Sequence, residues 1–97
     1  MKEIRKVRAH IFVSGRVQGV FFRDSTRRIA EELDIFGWVK NSNNSRVEAV
    51  LEGEKEIIEK LIEWAKKGPV LARVNGIEIE WQDYKGEFKN FEIRYAQ

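Results

Sequence analysis

Hydrophobic and polar residues alternate along five stretches of the chain, and in two other stretches apolar residues recur every three to four positions. Alternation is typical of a strand with one face on a core, and the longer spacing is typical of an amphipathic helix. The pattern therefore predicts, in chain order, a strand at 7–14, a helix at 22–33, strands at 36–41 and 46–52, a helix at 57–65, and strands at 77–82 and 91–95.

Glycine, proline and polar segments mark where several of these elements end. The first strand is expected to end at Gly15, and the segment Lys66-Lys67-Gly68-Pro69 is a stop signal after the second helix. The polar segment 42–45 predicts a hairpin between the second and third strands. A turn at 85–89 is expected before the last strand.

The order of the elements predicts the fold class. A β-α-β-β-α-β series with an extra terminal strand matches the split βαβ unit of ferredoxin-like α+β folds, in which one antiparallel sheet carries two helices on one face. We expect residues 1–97 to form one such domain. In that arrangement the first two strands run parallel with the third between them, so their carboxyl ends lie about 10 Å apart at one edge of the sheet.

Composition limits the chemistry that is open to the chain. No apolar run approaches the roughly 20 residues that cross a bilayer, and the charged start is not followed by the apolar segment of a signal peptide, so we expect a cytoplasmic protein. Zero cysteines exclude disulfides, thiolate nucleophiles and Cys-ligated metals. The acidic residues have no spacing that requires a metal site, and the single His10 is interpreted as structural. We expect no metal and no cofactor.

The net charge of the chain points to no particular class of partner. The net charge of +2 is too small by itself to imply a polyanionic partner. Charged residues make up 35% of the chain, with no cysteine and one methionine, a balance that resembles proteins of heat-loving organisms. We therefore expect a thermostable protein.

A loop with two glycines, Gly15 and Gly19, joins the first strand to the first helix. Glycines let backbone N–H groups converge, and the first N–H groups of a helix lack internal partners and carry the positive end of its dipole. This geometry binds anions. Taken alone, the two glycines also fit a simple tight turn.

Arg23 favours the anion site. A guanidinium in the first turn of a helix opposes the helix dipole unless an anion lies between them. Its fork of donors also matches two phosphate oxygens. The alternative is a solvated Arg23 that is neutralised by the neighbouring Asp24.

Four sequence blocks resemble the acylphosphatase family: GRVQGVFFR at 15–23, GWVKN at 37–41, RVEAVLEG at 46–53 and GPVLARV at 68–74. The likeness covers nearly the whole chain, and the nine-residue block is far more specific than a pair of glycines. The resemblance implies a free-standing acylphosphatase, which hydrolyses the bond between a carboxylate and phosphate. It further implies that Asn41 positions the attacking water and that phosphate is held by Arg23 and by the loop residues Gly15, Arg16, Val17, Gln18, Gly19 and Val20.

Two positions depart from the family pattern. The family usually has an acidic residue followed by glycine in the turn after Asn41, where this chain has Asn43-Asn44-Ser45, and it commonly has threonine where this chain has Ser42. Asparagine tolerates the left-handed region and can replace the glycine, and serine keeps the hydroxyl. We expect activity to survive both changes.

The residues suit an activated substrate. Alkoxide leaving groups need a proton or a metal, whereas an acyl phosphate releases a carboxylate, which is a stable anion unaided. Asn41 is no base at neutral pH, but its amide oxygen can accept a hydrogen bond from water and fix that water in line with the phosphorus. Without the family match, an Asn41 bonded to its own turn would be the favoured interpretation.

Two other functions stay open at this point. Ferredoxin-like sheets with exposed aromatic residues bind single-stranded RNA, although the chain lacks the aromatic signature of an RRM. An acylphosphatase-like domain can also bind phosphate or carbamoyl phosphate and pass it on within a larger enzyme. We expect instead a monomer that acts on a small acyl phosphate, binds inorganic phosphate or sulfate in its loop, and has no nucleic-acid or membrane partner.

Overall fold

The computed structural model describes residues 4–95, which form five strands and two helices. In chain order these are β1 (Lys6–Arg16), α1 (Phe22–Glu32), β2 (Phe36–Asn41), β3 (Val47–Glu54), α2 (Lys55–Ala65), β4 (Arg73–Asp83) and β5 (Phe91–Ile93). Every element predicted from the sequence is present. β1 and β4 are longer than predicted, and β5 is shorter.

The strands form one sheet in the order β4-β1-β3-β2-β5. β3 lies between β1 and β2 and is antiparallel to both, so the predicted hairpin of β2 and β3 is confirmed. β4 is antiparallel to β1, but β5 is parallel to β2. The ferredoxin-like α+β class is therefore confirmed, with one correction: the sheet is mixed rather than antiparallel throughout.

Both helices pack on the same face of the sheet, α1 over β2 and β5 and α2 over β1 and β3. The alternation in β1 places its apolar side chains on that face, where Ala9, Ile11 and Val13 are at most 2% exposed. Ile58 and Leu61 of α2 are fully buried against them. Complete burial of each large aliphatic side chain contributes roughly 1.5–3 kcal/mol, so this layer fixes the helices on the sheet.

The predicted turn at 85–89 is part of a longer crossing, because β4 and β5 lie at opposite edges of the sheet. The buried Glu52 carboxylate on β3 accepts hydrogen bonds from the backbone N–H groups of residues 85–87, at 2.8–3.2 Å. Arg8 on β1 donates to Glu87 in the same segment. These bonds hold the crossing segment against the sheet and lead the chain to β5, beside β2.

His10 lies on the sheet face that the helices leave open. Its Nε2 is 2.7 Å from Glu48 Oε2, and its ring packs against Phe12 with 4.8 Å between the ring centroids. These contacts agree with a structural role for His10.

Neither helix within residues 4–95 is long and apolar enough to cross a membrane.

Candidate active site

A cavity of about 310 Å³ lies at the N-terminus of α1, beside the carboxyl end of β2. Among the residues that the sequence predicts for the site, Val17, Gly19, Arg23 and Asn41 line it together. The strand register explains how residues far apart in the chain meet here. Asn41 of β2 and Val13 of β1 both pair with Val47 of β3, so the end of β2 lies level with the residues that lead into the loop.

The loop between β1 and α1 presents free backbone donors at the cavity. Gly19 and Phe21 have positive φ angles of 75° and 66°, which turn the chain sharply before the helix. Within residues 4–95, the backbone N–H groups of residues 18–21 donate to no backbone or side-chain acceptor. In the described part of the chain no side chain caps α1, so the first N–H groups of this 11-residue helix are also free there. The arrangement can bind an anion through the backbone.

Four of the predicted loop residues lie outside the cavity lining. Gly15 and Arg16 belong to β1, and Val20 is buried in the core at 7% exposure. A Cβ at Gly15 would lie 2.1 Å from the carbonyl oxygen of Arg73, so glycine is required there for the close approach of β4 at a bulge in the register. A part for these three residues in binding phosphate stays a prediction.

Gln18, the fourth, ties the loop to the turn that follows Asn41. Its Nε2 donates to the carbonyl oxygens of Ser42 at 3.1 Å and Arg46 at 3.0 Å. The N–H of Ser42 donates to the same carbonyl of Arg46 at 2.8 Å. The Gln18 amide thus bridges the loop and the turn after β2.

The turn after β2 departs from the sequence prediction in one respect. The residue with a left-handed backbone is Ser45, at φ 67°, and not one of the two asparagines before it. Asn44 instead receives a side-chain contact, with its Oδ1 2.7 Å from Ser42 Oγ. The unfavourable left-handed backbone therefore lies at Ser45, a residue with a Cβ. The hydroxyl of Ser42 is hydrogen-bonded within the turn.

Arg23 faces the cavity without a carboxylate partner. Its guanidinium carbon lies 5.1 Å from the centre of the Tyr95 ring, and within the described chain it forms no ion pair. Asp24 is bonded instead to Arg27 at 2.8 Å and Arg28 at 2.7 Å. The alternative in which Asp24 neutralises Arg23 is not the arrangement observed, so the charge of Arg23 is available to a ligand.

The Asp24 carboxyl is held in its ionised form. The hydrogen bond from Arg27 is the largest influence that lowers the pKa of Asp24 below its ordinary value of 3.8, and the charge of Arg28 lowers it further. Because Asp24 also lines the cavity, the site contains one fixed negative charge beside Arg23.

The side-chain oxygen of Asn41 has no hydrogen-bond partner among residues 4–95. Its Oδ1 is shielded from solvent and accepts no hydrogen bond from the residues described. An unsatisfied buried acceptor costs about 1–3 kcal/mol, which a bound water or ligand that donates a hydrogen bond would offset. No group of three or more His, Cys, Asp or Glu side chains in residues 4–95 is placed to hold a metal ion.

Sequence reasoning missed four apolar residues of the cavity wall, Phe21, Phe22, Ile93 and Tyr95. Phe21 stands inside the nine-residue block, so its position there was a usable signal. Ile93 and Tyr95 reach the cavity only because β5 pairs with β2, with Val39 opposite Ile93. The alternating pattern of β5 predicts a strand but does not say which neighbour it pairs with.

Comparison with known proteins identifies relatives over almost the whole chain. The family model described as Acylphosphatase matches residues 9–93. A relative named Acylphosphatase from Pyrobaculum calidifontis is 53% identical over 93 residues, which cover 95% of this chain and 84% of the relative.

Solved structures agree with that match. The structure of an acylphosphatase from Coxiella burnetii has a TM-score of 0.88 and 41% identity, covering 97% of this chain and 100% of that one. A full-length HypF solved in a phosphate- and nucleotide-bound form has a TM-score of 0.85 and 30% identity, but the likeness covers only 12% of that chain.

Proposed function

Since this chain belongs to the acylphosphatase family, it hydrolyses the carboxyl–phosphate bond of acyl phosphates, and we propose that the cavity at the start of α1 is where it does so. The observation that carries the proposal is that Gly19, Arg23 and Asn41 line one cavity at a helix N-terminus. These residues come from the loop, α1 and β2, and each offers a different function to the reaction.

In this proposal the loop and Arg23 bind the phosphoryl group. The free N–H groups of residues 18–21 and of the first turn of α1 point a row of donors at an anion, and the helix dipole favours its negative charge. Arg23 adds a full positive charge and two parallel donors. Both groups stabilise the charge that spreads over the phosphoryl oxygens as the bond to the leaving group stretches.

Asn41 positions the attacking water. Its unpartnered Oδ1 accepts a hydrogen bond from that water, which fixes the nucleophile without needing a base. The water oxygen forms a bond to phosphorus while the bond from phosphorus to the acyl oxygen breaks. The electron pair leaves with the carboxylate, and the proton of the water passes to a phosphate oxygen. The products are the carboxylate and inorganic phosphate.

Hydrolysis, rather than transfer within a larger assembly, is the proposed outcome for this chain. The likeness to the acylphosphatase from Coxiella burnetii extends over all of that protein, whereas the likeness to HypF covers one small part of it. We also propose a monomer located in the cytoplasm. These two properties, like the absence of a nucleic-acid partner, stay predictions.

Phosphate release from acetyl phosphate, measured with and without excess EDTA, tests the proposal. We expect equal rates in both conditions, because the carboxylate leaves unaided and Arg23 with the helix N-terminus supplies the positive charge. An alkyl phosphate monoester is the control and should hardly react, since its alkoxide leaving group needs a proton. Loss of activity on chelation would contradict the proposed mechanism.

Inhibition by inorganic phosphate or sulfate provides an independent check on the binding site. Either anion can occupy the same donors as the substrate phosphoryl group, so both should inhibit competitively with acetyl phosphate. Inhibition that higher substrate concentrations cannot overcome would place the anion outside the active cavity.

A further inference from the structure

A second cavity, of about 350 Å³, lies at the end of the sheet opposite the candidate active site, where β1 begins and β4 ends. β1 runs for 11 residues from this end to the loop at the active site, so the two cavities lie roughly 30 Å apart at about 3.3 Å per strand residue. We propose that this basic cavity binds a nucleoside phosphate through its three cations and two aromatic rings. The site is independent of the proposed hydrolysis.

The three cations come from two segments that a backbone hydrogen bond joins. Arg5 and Lys6 stand where β1 begins, and Lys55 is the first residue of α2. The N–H of Lys55 donates to the carbonyl oxygen of Arg5 at 2.8 Å. The backbone therefore fixes these positive residues beside one another before a ligand binds, which lowers the cost of ordering the site.

These cations have no carboxylate partner within residues 4–95. Asp83 is the one acid among the described residues that line the basic cavity, and it forms no ion pair in that part of the chain. By contrast, Arg46 on the open face of the sheet is paired with Glu78 at 3.1 Å. Three positive charges thus meet a single negative charge, and a bound anion would offset their mutual repulsion.

Two aromatic rings stand beside those charges. Trp81 is 40% exposed and Tyr84 is 43% exposed, and both lie outside the packed core. Lys55 Nζ is 5.4 Å from the centre of the Trp81 ring, and Lys6 Nζ is 5.6 Å from the centre of the Tyr84 ring. Each ring therefore offers apolar surface directly beside an ammonium group.

These surfaces fit a ligand that carries both an aromatic ring and a phosphate. A nucleobase can stack on Trp81 or Tyr84, and because every base has a π face this stacking does not select one base. The phosphate then lies beside the cations, where Arg5 offers parallel donors and the lysines offer point charges. The cavity volume is within the usual range of small-molecule sites. A mononucleotide therefore uses the site more fully than a free phosphate or a nucleoside does.

Calorimetric titration with AMP, ribose 5-phosphate and adenosine tests the site. The titrations use the Arg23→Ala protein, because its candidate active site has lost the one cation that lines it. We expect AMP to bind about five- to tenfold more tightly than ribose 5-phosphate, which lacks the ring, and more tightly than adenosine, which lacks the charge. Equal affinities for AMP and ribose 5-phosphate, or no binding of AMP, would overturn the proposal.

Further variants in the same background locate the binding. Trp81→Leu should lower the affinity for AMP about five- to tenfold and leave that for ribose 5-phosphate unchanged. Lys55→Gln should lower both affinities about threefold or more, because both ligands carry the phosphate. Trp38→Leu and Lys60→Gln are matched controls, at a tryptophan and an exposed α2 lysine outside the basic cavity. Unchanged AMP binding in folded Trp81→Leu and Lys55→Gln proteins would contradict the assignment.

A second measurement uses the wild-type protein. In its ¹H–¹⁵N spectrum the indole N–H signal of Trp81 should shift on addition of AMP, whereas that of Trp38 should not. Trp64 packs against Phe22 of the candidate active site, with 5.4 Å between the ring centroids, so its signal reports on that cavity. A shift at Trp64 without one at Trp81 would place AMP in the active site, which would overturn the basic cavity as its site and leave the proposed hydrolysis intact.

Discussion

Gln18 donates its side-chain amide to the carbonyl oxygen of Ser42 at 3.1 Å, and so joins the loop between β1 and α1 to the residue that follows Asn41. The same amide donates to Arg46 at 3.0 Å. Gln18 therefore adds a direct link between the two halves of the proposed site, one that binds phosphate and one that positions water. This makes Gln18 a positioning residue.

Replacing Gln18 with alanine should weaken catalysis through geometry. We expect kcat/KM for acetyl phosphate to fall by about tenfold or more, since small displacements of positioned groups carry large rate penalties. The free energy of unfolding should also fall by about 1 kcal/mol, because the Ser42 carbonyl loses its donor, while the Arg46 carbonyl keeps the bond from the Ser42 N–H. Gln82→Ala is the matched control, since within residues 4–95 that amide bonds only to the exposed Glu80. Normal kinetics in a folded Gln18→Ala protein would contradict a positioning role for Gln18.

Removal of the Arg23 side chain tests the phosphate clamp. Arg23→Ala should raise KM and lower kcat together, with kcat/KM reduced by about a thousandfold, because in the proposed mechanism the charge contacts the phosphoryl group in both ground and transition states. Competitive inhibition by phosphate should weaken in parallel. Arg5→Ala changes an exposed arginine outside this cavity, and it should alter neither the kinetic constants nor the inhibition by phosphate. An Arg23→Ala protein that still binds phosphate normally would contradict the clamp.

The lowered pKa of Asp24 predicts a specific dependence of stability on pH. A carboxyl whose pKa is lower in the folded protein stabilises it above the unfolded pKa, and this contribution is lost as pH falls through the folded pKa. Wild type should therefore melt at a higher temperature than Asp24→Asn at neutral pH, and the difference should shrink as pH falls below 3.8. Asp83→Asn, at a residue without an ion pair in the described chain, is the control. A difference in melting temperature that does not change with pH would contradict the assignment.

The open face of the sheet bears on the RNA-binding alternative. The aromatic rings there are already packed against cations, with Arg46 4.5 Å from the centre of Phe12 and Arg94 5.1 Å from that of Trp38. Arg46 is also paired with Glu78 at 3.1 Å. Stacking of bases would have to displace these contacts, so we predict only weak, non-specific association with single-stranded oligonucleotides. A sequence-selective, submicromolar complex at physiological salt would reverse this prediction.

The sequence predicted the elements and their layers well because each has a period set by its own backbone geometry. It did not predict that β5 pairs with β2, since pairing of strands depends on a crossing segment held by the buried Glu52. That crossing brings Tyr95 to the cavity. The motif names Gly19, Arg23 and Asn41, and the fold brings these three residues to one cavity. It also names Gly15, which lies outside the cavity lining, where glycine allows the close approach of β4.

The unpartnered Oδ1 of Asn41 makes its replacement by alanine the most direct test of the mechanism. Asn41→Ala should lower kcat for acetyl phosphate by roughly a hundredfold or more and leave KM and inhibition by phosphate little changed, the pattern of an interaction lost only in the transition state. Asn75→Ala, at an exposed position on β4, is the matched control, and an unchanged melting temperature in both variants shows that folding is intact. Near-normal turnover by a folded Asn41→Ala protein would contradict water positioning by Asn41.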